Sequence, residues 1–361
     1  MAITSYQELL GRAFVDARPM SAQWELTFKC NHLCGFCYNA PTGQRELATA
    51  EIKRGLEKIA DFGVLYLTLT GGEPMVRPDF FEICEYGRHL GFALRIYTNG
   101  YLLDEARTKR LKDVHTFEVE VSIHGAKAET HDRLTGIRGS FDKVIAGLAN
   151  LRKHKIKTNL KCPITHLNQD ELWGVWEIAK EYGASIAFDP VITPRDDGDK
   201  GPLGMAATKE FLVRFFSDEF KEIRYGRDVT KRDDSVVRTN CGTGRTSFTI
   251  DPYGNIFPCV QWRRKWANIK EVDSLTEIWK TSEVLQHVRW AAVQITQTTL
   301  KEKESGAFCS FCPGVAELQT GSPFMMYPQA EIVAEARLSA YNEKQQQSQT
   351  SPAGAGSSSQ S

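Results

Sequence analysis

The sequence predicts an α/β fold, a partial (β/α)6 barrel followed by a small C-terminal α+β domain. About six strand-then-helix units follow one another between residues 22 and 225, and such alternation favours a parallel sheet with helices outside it. The linkers are short, which requires right-handed crossovers and makes the sheet curl. Near residue 240 the chain changes character, and a hairpin and a second group of cysteines follow.

Each predicted strand is a short segment in which apolar residues alternate or run together. The first strand, at 22–28, places Trp24, Leu26 and Phe28 on one face. The five strands after it are predicted at 64–69, 92–97, 116–123, 156–164 and 185–189.

The predicted helices are segments with apolar residues at helical spacing. Pro78 suits the first turn of a helix over 78–90, and Ser140 resembles an N-cap for a helix over 141–154. The other helices are predicted at 5–15, 48–62, 103–112, 169–182 and 207–222.

Four segments are predicted along the chain. They are an N-terminal helical lead-in at 1–21, the barrel at 22–225, the second domain at 240–335 and a tail at 343–361. The tail is rich in Gln, Ser and Gly and is predicted to be disordered.

Charge and hydropathy exclude several classes of partner. Lys plus Arg and Asp plus Glu both number 45, whereas nucleic-acid binders usually carry a basic excess or stripe. No apolar run approaches the ~20 residues of a membrane helix, and the N-terminus lacks a signal-peptide pattern. We expect a cytoplasmic protein that binds neither nucleic acid nor a membrane.

Cysteine is the residue type whose distribution indicates chemistry. Seven of the nine cysteines fall into two sets with metal-like spacing, and metal ligation explains such sets better than disulfides, which fit short secreted scaffolds. The remaining two, Cys84 and Cys162, lie in apolar surroundings, where a cysteine usually packs in the core.

The first set, Cys30, Cys34 and Cys37, follows the first strand with the spacing C-x3-C-x2-C. Thiolates hold iron–sulfur clusters, normally four to a cubane. Three leave one iron with an open position for a small molecule, and His32 is poorly placed in so tight a loop to close the same cluster. The alternative is a structural zinc knuckle, whose ligands usually form two well-separated pairs.

A second motif, Gly71-Gly72-Glu73-Pro74, follows the second strand. Together with C-x3-C-x-aromatic-C, in which Phe36 is the aromatic residue, it resembles the signature of the radical S-adenosylmethionine (SAM) enzymes. The resemblance implies a SAM-binding [4Fe-4S] cluster on the three cysteines. It also implies reductive cleavage of SAM to a 5′-deoxyadenosyl radical, which takes a hydrogen atom from the substrate.

The second motif is expected to hold SAM. The two glycines allow backbone carbonyls to approach the ammonium group of SAM, Glu73 adds a charge-assisted partner, and Pro74 stiffens the turn. Read alone, the motif is equally typical of a plain strand-to-helix turn. The family resemblance further implies cofactor contacts for Phe36, Asn99 and Ser122.

Catalytic residues are indicated only weakly. His124 stands where many relatives carry Asp, and an imidazole there faces substrate or is a satisfied loop residue. Cys162 either points into the barrel or packs. Arg133 and Arg138 are loose candidates for the SAM carboxylate, and the simpler reading is that they are solvated.

The second cysteine set consists of Cys241, Cys259, Cys309 and Cys312. The stretch Asp251-Pro252-Tyr253-Gly254-Asn255 predicts a hairpin turn that folds Cys259 back towards Cys241. The layout resembles the SPASM extension of radical SAM enzymes, although Leu318 and Ser322 stand where the full pattern continues with cysteines. We expect one auxiliary [4Fe-4S] cluster on these four cysteines, with a structural zinc ion as the alternative.

The resemblance implies a maturase that acts on a peptide side chain, as in ribosomal-peptide modification. Expected partners are a peptide or small-molecule substrate, an external electron donor of the flavodoxin or ferredoxin type, and a separate leader-recognition protein. Two alternatives stay open: a radical SAM enzyme of tetrapyrrole or other small-cofactor biosynthesis, and a non-catalytic iron–sulfur electron carrier.

Overall fold

The computed structural model describes residues 5–233 and 239–350, with side chains to residue 347. One nine-stranded sheet organises this part of the chain, in the order β6-β5-β4-β3-β2-β1-β7-β8-β9. The strands are β1 (Ser21–Thr27), β2 (Tyr66–Gly71), β3 (Ala93–Thr98), β4 (Glu118–Ser122), β5 (Thr158–Pro163), β6 (Ser185–Asp189), β7 (Ser247–Ile250), β8 (Asn255–Phe257) and β9 (Ala267–Asn268).

The first six strands are parallel, each paired with the next in chain order, which confirms the predicted parallel sheet. The helices are α1 (Tyr6–Val15), α2 (Thr49–Asp61), α3 (Phe80–His89), α4 (Glu105–Asp113), α5 (Ala128–Thr135), α6 (Ser140–Lys153), α7 (Leu172–Tyr182), α8 (Lys209–Phe216), α9 (Leu275–Thr281), α10 (Glu283–Gln297), α11 (Pro313–Thr320) and α12 (Pro328–Thr350).

The two faces of the parallel sheet differ in chemistry. Apolar residues such as Leu67, Ile96 and Val119 are fully buried in the main core. The residues that alternate with them are polar, as at Tyr97 and Glu120, and line a cavity. Because successive side chains of a strand point to opposite faces, the outer face packs in the core and the inner face is free to bind ligand.

The hairpin of the C-terminal part extends the same sheet. Strands β7 and β8 are antiparallel, as the Asp-Pro-Tyr-Gly-Asn stretch predicts. Strand β7 then pairs in parallel with β1, from Ser21 opposite Ser247 to Trp24 opposite Ile250. The sequence did not indicate this pairing, which joins the C-terminal part to the barrel through backbone hydrogen bonds.

Several local predictions are wrong. Ser140 is the first residue of α6 rather than its N-cap, which is Gly139 in the left-handed region at φ 79°. Pro78 precedes the N-cap of α3. The sequence did not predict α5, and the helix expected over 207–222 is α8 followed by two short 3-10 turns.

The last helix, α12, continues into the stretch predicted to be a disordered tail. It ends at Thr350, so residues 343–350 are helical and that part of the prediction is wrong. Residues 351–361 of the predicted tail lie outside the described residues. Within the described ranges, no helix has the length and apolar character needed to cross a membrane.

Candidate active site

A cavity of about 570 Å³ lies at the carboxyl ends of β1 to β4, where the chemistry of parallel α/β barrels collects. Its wall includes all three cysteines of the first set. It also includes five of the residues predicted to bind the cofactor, namely Phe36, Gly71, Gly72, Asn99 and Ser122. The structure therefore brings together motifs that lie far apart in the chain.

The three thiols of the cysteine loop lie close enough to affect one another. Burial, and after it the neighbouring Cys37 and Cys30, raises the pKa of Cys34 to about 12. Cys30 Sγ accepts hydrogen bonds from the backbone N–H of His32 at 3.4 Å and from Asn99 Nδ2 at 3.7 Å. Without a cation these groups are therefore neutral thiols, and the irons of a cluster would supply the positive charge that stabilises them as thiolates.

The arrangement of the metal-ligating side-chain atoms distinguishes a cluster site from a site for a single metal ion. Within residues 5–233 and 239–350, no three His, Cys, Asp or Glu side chains converge as ligands of one metal ion would. In a cubane each thiolate binds a different iron, so the sulfurs need not meet at one point, whereas a tetrahedral zinc site requires it. A cluster therefore does not require the three sulfurs of a set to converge on one point.

Glu73 lies behind the cavity wall rather than in it. Its carboxylate is fully buried and accepts hydrogen bonds from Met75 N (3.1 Å), Asn99 N (2.8 Å) and Thr98 Oγ1 (2.9 Å). Pro74 is also buried and starts a short 3-10 turn. The contact of Glu73 with the SAM ammonium stays a prediction, and the hydrogen bond from Asn99 N shows that Glu73 fixes the backbone of Asn99.

The two glycines of the second motif are required by close packing of the chain. A Cβ atom at Gly71 would lie 2.2 Å from Thr27 O, and one at Gly72 would lie 2.4 Å from Lys29 O. Gly71 also has φ +136°, a conformation that side chains disfavour. These residues hold the end of β2 against the start of the cysteine loop, which brings their backbone to the cavity.

Buried imidazoles form one side of the cavity. The rings of Phe36 and His124 meet edge-on at 5.0 Å, and His124 lies 5.3 Å from His131. Burial lowers the pKa of His124 well below its ordinary value, so the ring is neutral near pH 7. His124 and His32 both line the cavity and have ring nitrogens without hydrogen-bond partners among the described residues.

A further unpaired polar atom belongs to Asn39. Its Nδ2 donates to Gly71 O at 3.1 Å, while its Oδ1 is buried and has no partner among the described residues. Buried polar atoms are rarely left unpaired. Because Asn39 lines the cavity, this oxygen and the imidazole nitrogens are available to a polar ligand.

Charged side chains continue from this cavity along the inner face of the barrel. Strand register sets Ser122 beside Lys161, and Pro163 beside Asp189. Burial raises the pKa values of Glu120 and Asp189, and the nearby charge of Lys161 opposes this shift. The Lys161 ammonium makes no direct hydrogen bond or ion-pair contact within the described part of the chain.

The second cysteine set is only partly assembled. Burial and the neighbouring thiols Cys259 and Cys241 raise the pKa of Cys312 to about 12, and Cys259 has the same effect on Cys241. The Cys309 thiol instead lies 3.8 Å from Ala330 O, near Arg337. Cys241, Cys259 and Cys312 are therefore neighbours, and Cys309 lines a second cavity while lying, like Cys312, near Tyr327.

A buried ion pair connects the barrel to the C-terminal part. Arg263 donates two hydrogen bonds to the carboxylate of Glu25, at 2.7 and 2.8 Å, and lies 2.9 Å from Asp196. Glu25 is on the inner face of β1 and is fully buried. No local sequence pattern indicates the pairing of Arg263 with Glu25, because the two residues are 238 positions apart.

Other candidates lie away from the cavity. Cys162 belongs to the buried core on the outer face of β5, so the idea that it points into the barrel is wrong, and Cys84 is core as expected. Arg133 and Arg138 are exposed and do not line the cavity. The sequence motifs do not indicate five of the residues described above, namely Asn39, Tyr97, Glu120, Lys161 and Arg263. Alternation within the strands was an available signal for three of them, Tyr97, Glu120 and Lys161.

Comparison with known families gives two matches. The model of the Radical SAM superfamily matches residues 24–179, and the SPASM model, an iron-sulfur cluster-binding domain, matches residues 241–313. The first match contains Cys30, Cys34 and Cys37, and the second contains all four cysteines of the other set.

Individual proteins are also similar. The AdoMet-dependent heme synthase of Methanosarcina barkeri is 31% identical over 297 residues, covering 75% of this chain and 85% of that protein. The PqqA peptide cyclase of Rhizobium meliloti is 26% identical, covering 75% and 76%. The crystal structure of Streptococcus suis SuiB bound to S-adenosylmethionine has a TM-score of 0.68 at 18% identity, covering 91% and 83%, which supports the fold.

Proposed function

The chain belongs to the radical SAM superfamily and carries a SPASM domain, and on that premise we propose that it is a maturase that modifies a peptide side chain. It is a radical SAM enzyme, dependent on a [4Fe-4S] cluster, on SAM and on an auxiliary cluster. The peptide substrate and the roles of individual residues are the proposal.

Cys30, Cys34 and Cys37 are the proposed ligands of the SAM-binding cluster, and Cys241, Cys259, Cys309 and Cys312 those of the auxiliary cluster. When bound, the first cluster and SAM supply reductive formation of a 5′-deoxyadenosyl radical that takes a hydrogen atom from the substrate. The electron must come from outside the chain, for which a flavodoxin or ferredoxin is the proposed donor.

The remaining cavity residues would position SAM. The backbone at Gly71 and Gly72 and the unpaired Asn39 Oδ1 offer acceptors for its ammonium group. Phe36, packed on His124, supplies an aromatic face, and Ser122 supplies a hydroxyl on the adjacent wall. Asn99 would act on the cluster rather than on SAM, since its amide donates to Cys30 Sγ.

The polar inner face of the barrel is the observation that favours a peptide. Tyr97, Glu120, Lys161 and Asp189 lie along it, and a peptide offers amides and charged side chains to such a surface. Ligand pockets for a flat apolar macrocycle are mostly apolar. The similarity to a protein named as a peptide cyclase points the same way, and a separate protein would recognise any leader segment.

A second candidate substrate is a tetrapyrrole. The observation in its favour is the 31% identity to a heme synthase, which exceeds that to the peptide cyclase. The same hydrogen abstraction would then act on the periphery of a porphyrin.

The experiment is an anaerobic assay of 5′-deoxyadenosine with reconstituted protein, SAM and a strong reductant. A precursor peptide encoded next to the gene and a porphyrin with propionate side chains are added separately. We expect the peptide to stimulate 5′-deoxyadenosine formation. The mass of the peptide product should be lower than that of the added peptide by the mass of one or more hydrogen atoms. Stimulation by the porphyrin alone would reject the peptide, and no product under any condition would reject catalysis and favour an electron carrier.

A further inference from the structure

A second cavity, of about 950 Å³, lies beside the edge strand β6. On one side it is lined by β6 residues, among them Ser185 and Ala187, which alternate with the core-facing Ile186. On the other side it is lined by the segment that follows α8 and by residues next to Cys309. Because Ser185 and Ala187 belong to the inner face of the barrel, the cavity opens onto the barrel interior from the side.

The side chain of Tyr225 forms hydrogen bonds with the outer edge of β6. Strand β6 is the last in the sheet and pairs only with β5. The Tyr225 hydroxyl accepts from Ile186 N at 2.6 Å and donates to Ile186 O at 2.9 Å. One hydroxyl therefore makes both hydrogen bonds that an added strand would make at this residue.

The backbone conformation and the exposure of Tyr225 favour its displacement from β6. It has φ 55°, a left-handed conformation that is uncommon for a residue other than glycine, and its side chain is half exposed. Its ring packs against Trp176, with 5.3 Å between ring centroids. Unpaired strand edges attract a further strand, and among the described residues the Tyr225 hydroxyl is the group that hydrogen-bonds to the outer edge of β6.

The cavity carries positive charge without matching carboxylates. Among the residues that the structure describes, Arg224 donates to the backbone carbonyls of Phe216, Ser217 and Arg227, and Arg337 donates to Phe308 O and Ser310 Oγ. The Arg227 guanidinium is exposed and makes no hydrogen bond or ion pair with the described residues.

Carboxylates near these three arginines are few and already bound or distant. Asp218 and Asp228 both lie near Arg224, but their carboxylates are paired with lysines, Asp218 with Lys344 and Asp228 with Lys221 and Lys344. Asp189 lies near Arg337 without an ion-pair contact in the described part of the structure. Guanidinium groups that lack acidic partners favour carboxylate ligands.

We propose that this cavity binds an acidic, extended segment of the peptide substrate, which adds to the edge of β6 after Tyr225 is displaced. Main-chain hydrogen bonds to an exposed sheet edge give affinity, and side chains of alternate residues give specificity. Acidic side chains on one face would reach Arg224, Arg227 and Arg337. The proposal rests on the peptide class of substrate argued above, and it adds where and how that peptide docks.

The test is equilibrium binding to the full-length, cluster-reconstituted protein. The probe is a fluorescein-labelled peptide of about ten residues that alternates valine with glutamate, followed by fluorescence anisotropy. The comparison peptides are one that alternates valine with lysine and a glutamate peptide with N-methylated alternate amides. We expect the glutamate peptide to bind at least about tenfold more tightly than either comparison peptide.

Two variants test the assigned residues. Arg227→Glu should weaken binding of the glutamate peptide by about tenfold, because it reverses a charge that supports nothing else. Tyr225→Phe keeps the ring against Trp176 and removes the competing hydroxyl, so it should strengthen binding by about threefold. Arg54→Gln, which changes an exposed arginine on α2, is the matched control and should have no effect.

Three results would overturn the proposal: equal binding of the glutamate and lysine peptides, binding insensitive to Arg227→Glu, or full binding of the N-methylated peptide. Displacement of the probe by a propionate porphyrin, together with full binding of the N-methylated peptide, would indicate a carboxylate site without strand addition. Binding is measured without turnover. If no peptide stimulates 5′-deoxyadenosine formation, the proposed function is rejected, while the binding results still test the docking site by themselves.

Discussion

At the scale of single residues, burial decides what the titratable groups of the site do. Glu73 was expected to meet a cationic ligand, yet it is enclosed by Met75, Thr98 and Asn99. His124 is neutral because burial disfavours its charged form. The chemistry of these side chains therefore follows from their surroundings and not from their residue type.

Glu73 gives a prediction about pH. Burial raises the pKa of its carboxyl group from 4.5 to about 7, so between these values the folded state binds more protons than the unfolded state. The stability contributed by this group is full below about pH 4.5 and is lost as the pH rises through 7. At 1.36 kcal/mol for each pKa unit, the loss is roughly 3 kcal/mol.

The side chain in Glu73→Gln cannot ionise, so the variant should not lose this stability as the pH rises. Urea unfolding of wild type and variant at pH 5 and pH 8 measures the difference, because all other groups titrate alike in both proteins. Glu82→Gln, on the exposed face of α3, serves as the control. Parallel pH profiles for wild type and Glu73→Gln would contradict the expectation.

Asn99 gives a prediction about the cluster. Its Nδ2 donates to Cys30 Sγ at 3.7 Å, and such bonds favour the more negative, reduced state of a cluster. If the bond contributes about 1 kcal/mol, Asn99→Ala should lower the reduction potential by about 40 mV. An EPR-monitored redox titration measures this, with Asn150→Ala on α6 as the control. An unchanged potential would show that the bond does not reach the cluster.

At the scale of elements, the site depends on how strands end and where their loops go. Strands β1 to β4 carry the cysteine loop, the Gly-Gly-Glu-Pro turn, Asn99 and Ser122 to one edge. The close contacts of Gly71 and Gly72 with the backbone of residues 27–29 fix the first two of these elements against each other. The order of the strands was enough to predict that these motifs lie close together, but not the contacts between them.

The ion pair of Arg263 with Glu25 gives a prediction at this scale. Arg263→Met would leave the fully buried carboxylate of Glu25 without its cation, and breaking a buried pair in this way typically costs about 3–5 kcal/mol. The urea midpoint of the variant should fall accordingly. The double variant Glu25→Gln with Arg263→Met should recover more than half of the loss. A single variant as stable as wild type would show that the pair does not join the two parts.

At the scale of the whole molecule, one sheet connects the two cysteine sets. Because β7 pairs with β1, the C-terminal part continues the barrel sheet instead of forming a separate unit. The arginine-lined cavity lies beside the edge strand β6, and Cys309 of the second cysteine set lines it. The proposed peptide-binding cavity is therefore a neighbour of the second cysteine set.

Metal content gives a prediction for the whole protein. With two cubane clusters, the reconstituted protein should contain about eight irons, and the Cys30/Cys34/Cys37→Ala variant should keep about four. Elemental analysis of anaerobically reconstituted samples measures this, and Cys84→Ala, a core cysteine, is the control. Zinc without iron in the triple variant would eliminate the auxiliary cluster.

The sequence by itself determined the six parallel strands, most of the helices between them and the two cysteine sets. It could do so because these features are local: periodicity along a strand, spacing within a loop, and the order of motifs. Only the tertiary structure decided the pairing of β7 with β1, the burial of Glu73, the orientation of Cys162 and Cys309, and the contact of Tyr225 with β6. Each of these depends on packing or hydrogen bonding between segments far apart in the chain, for which no single stretch of sequence carries a signal.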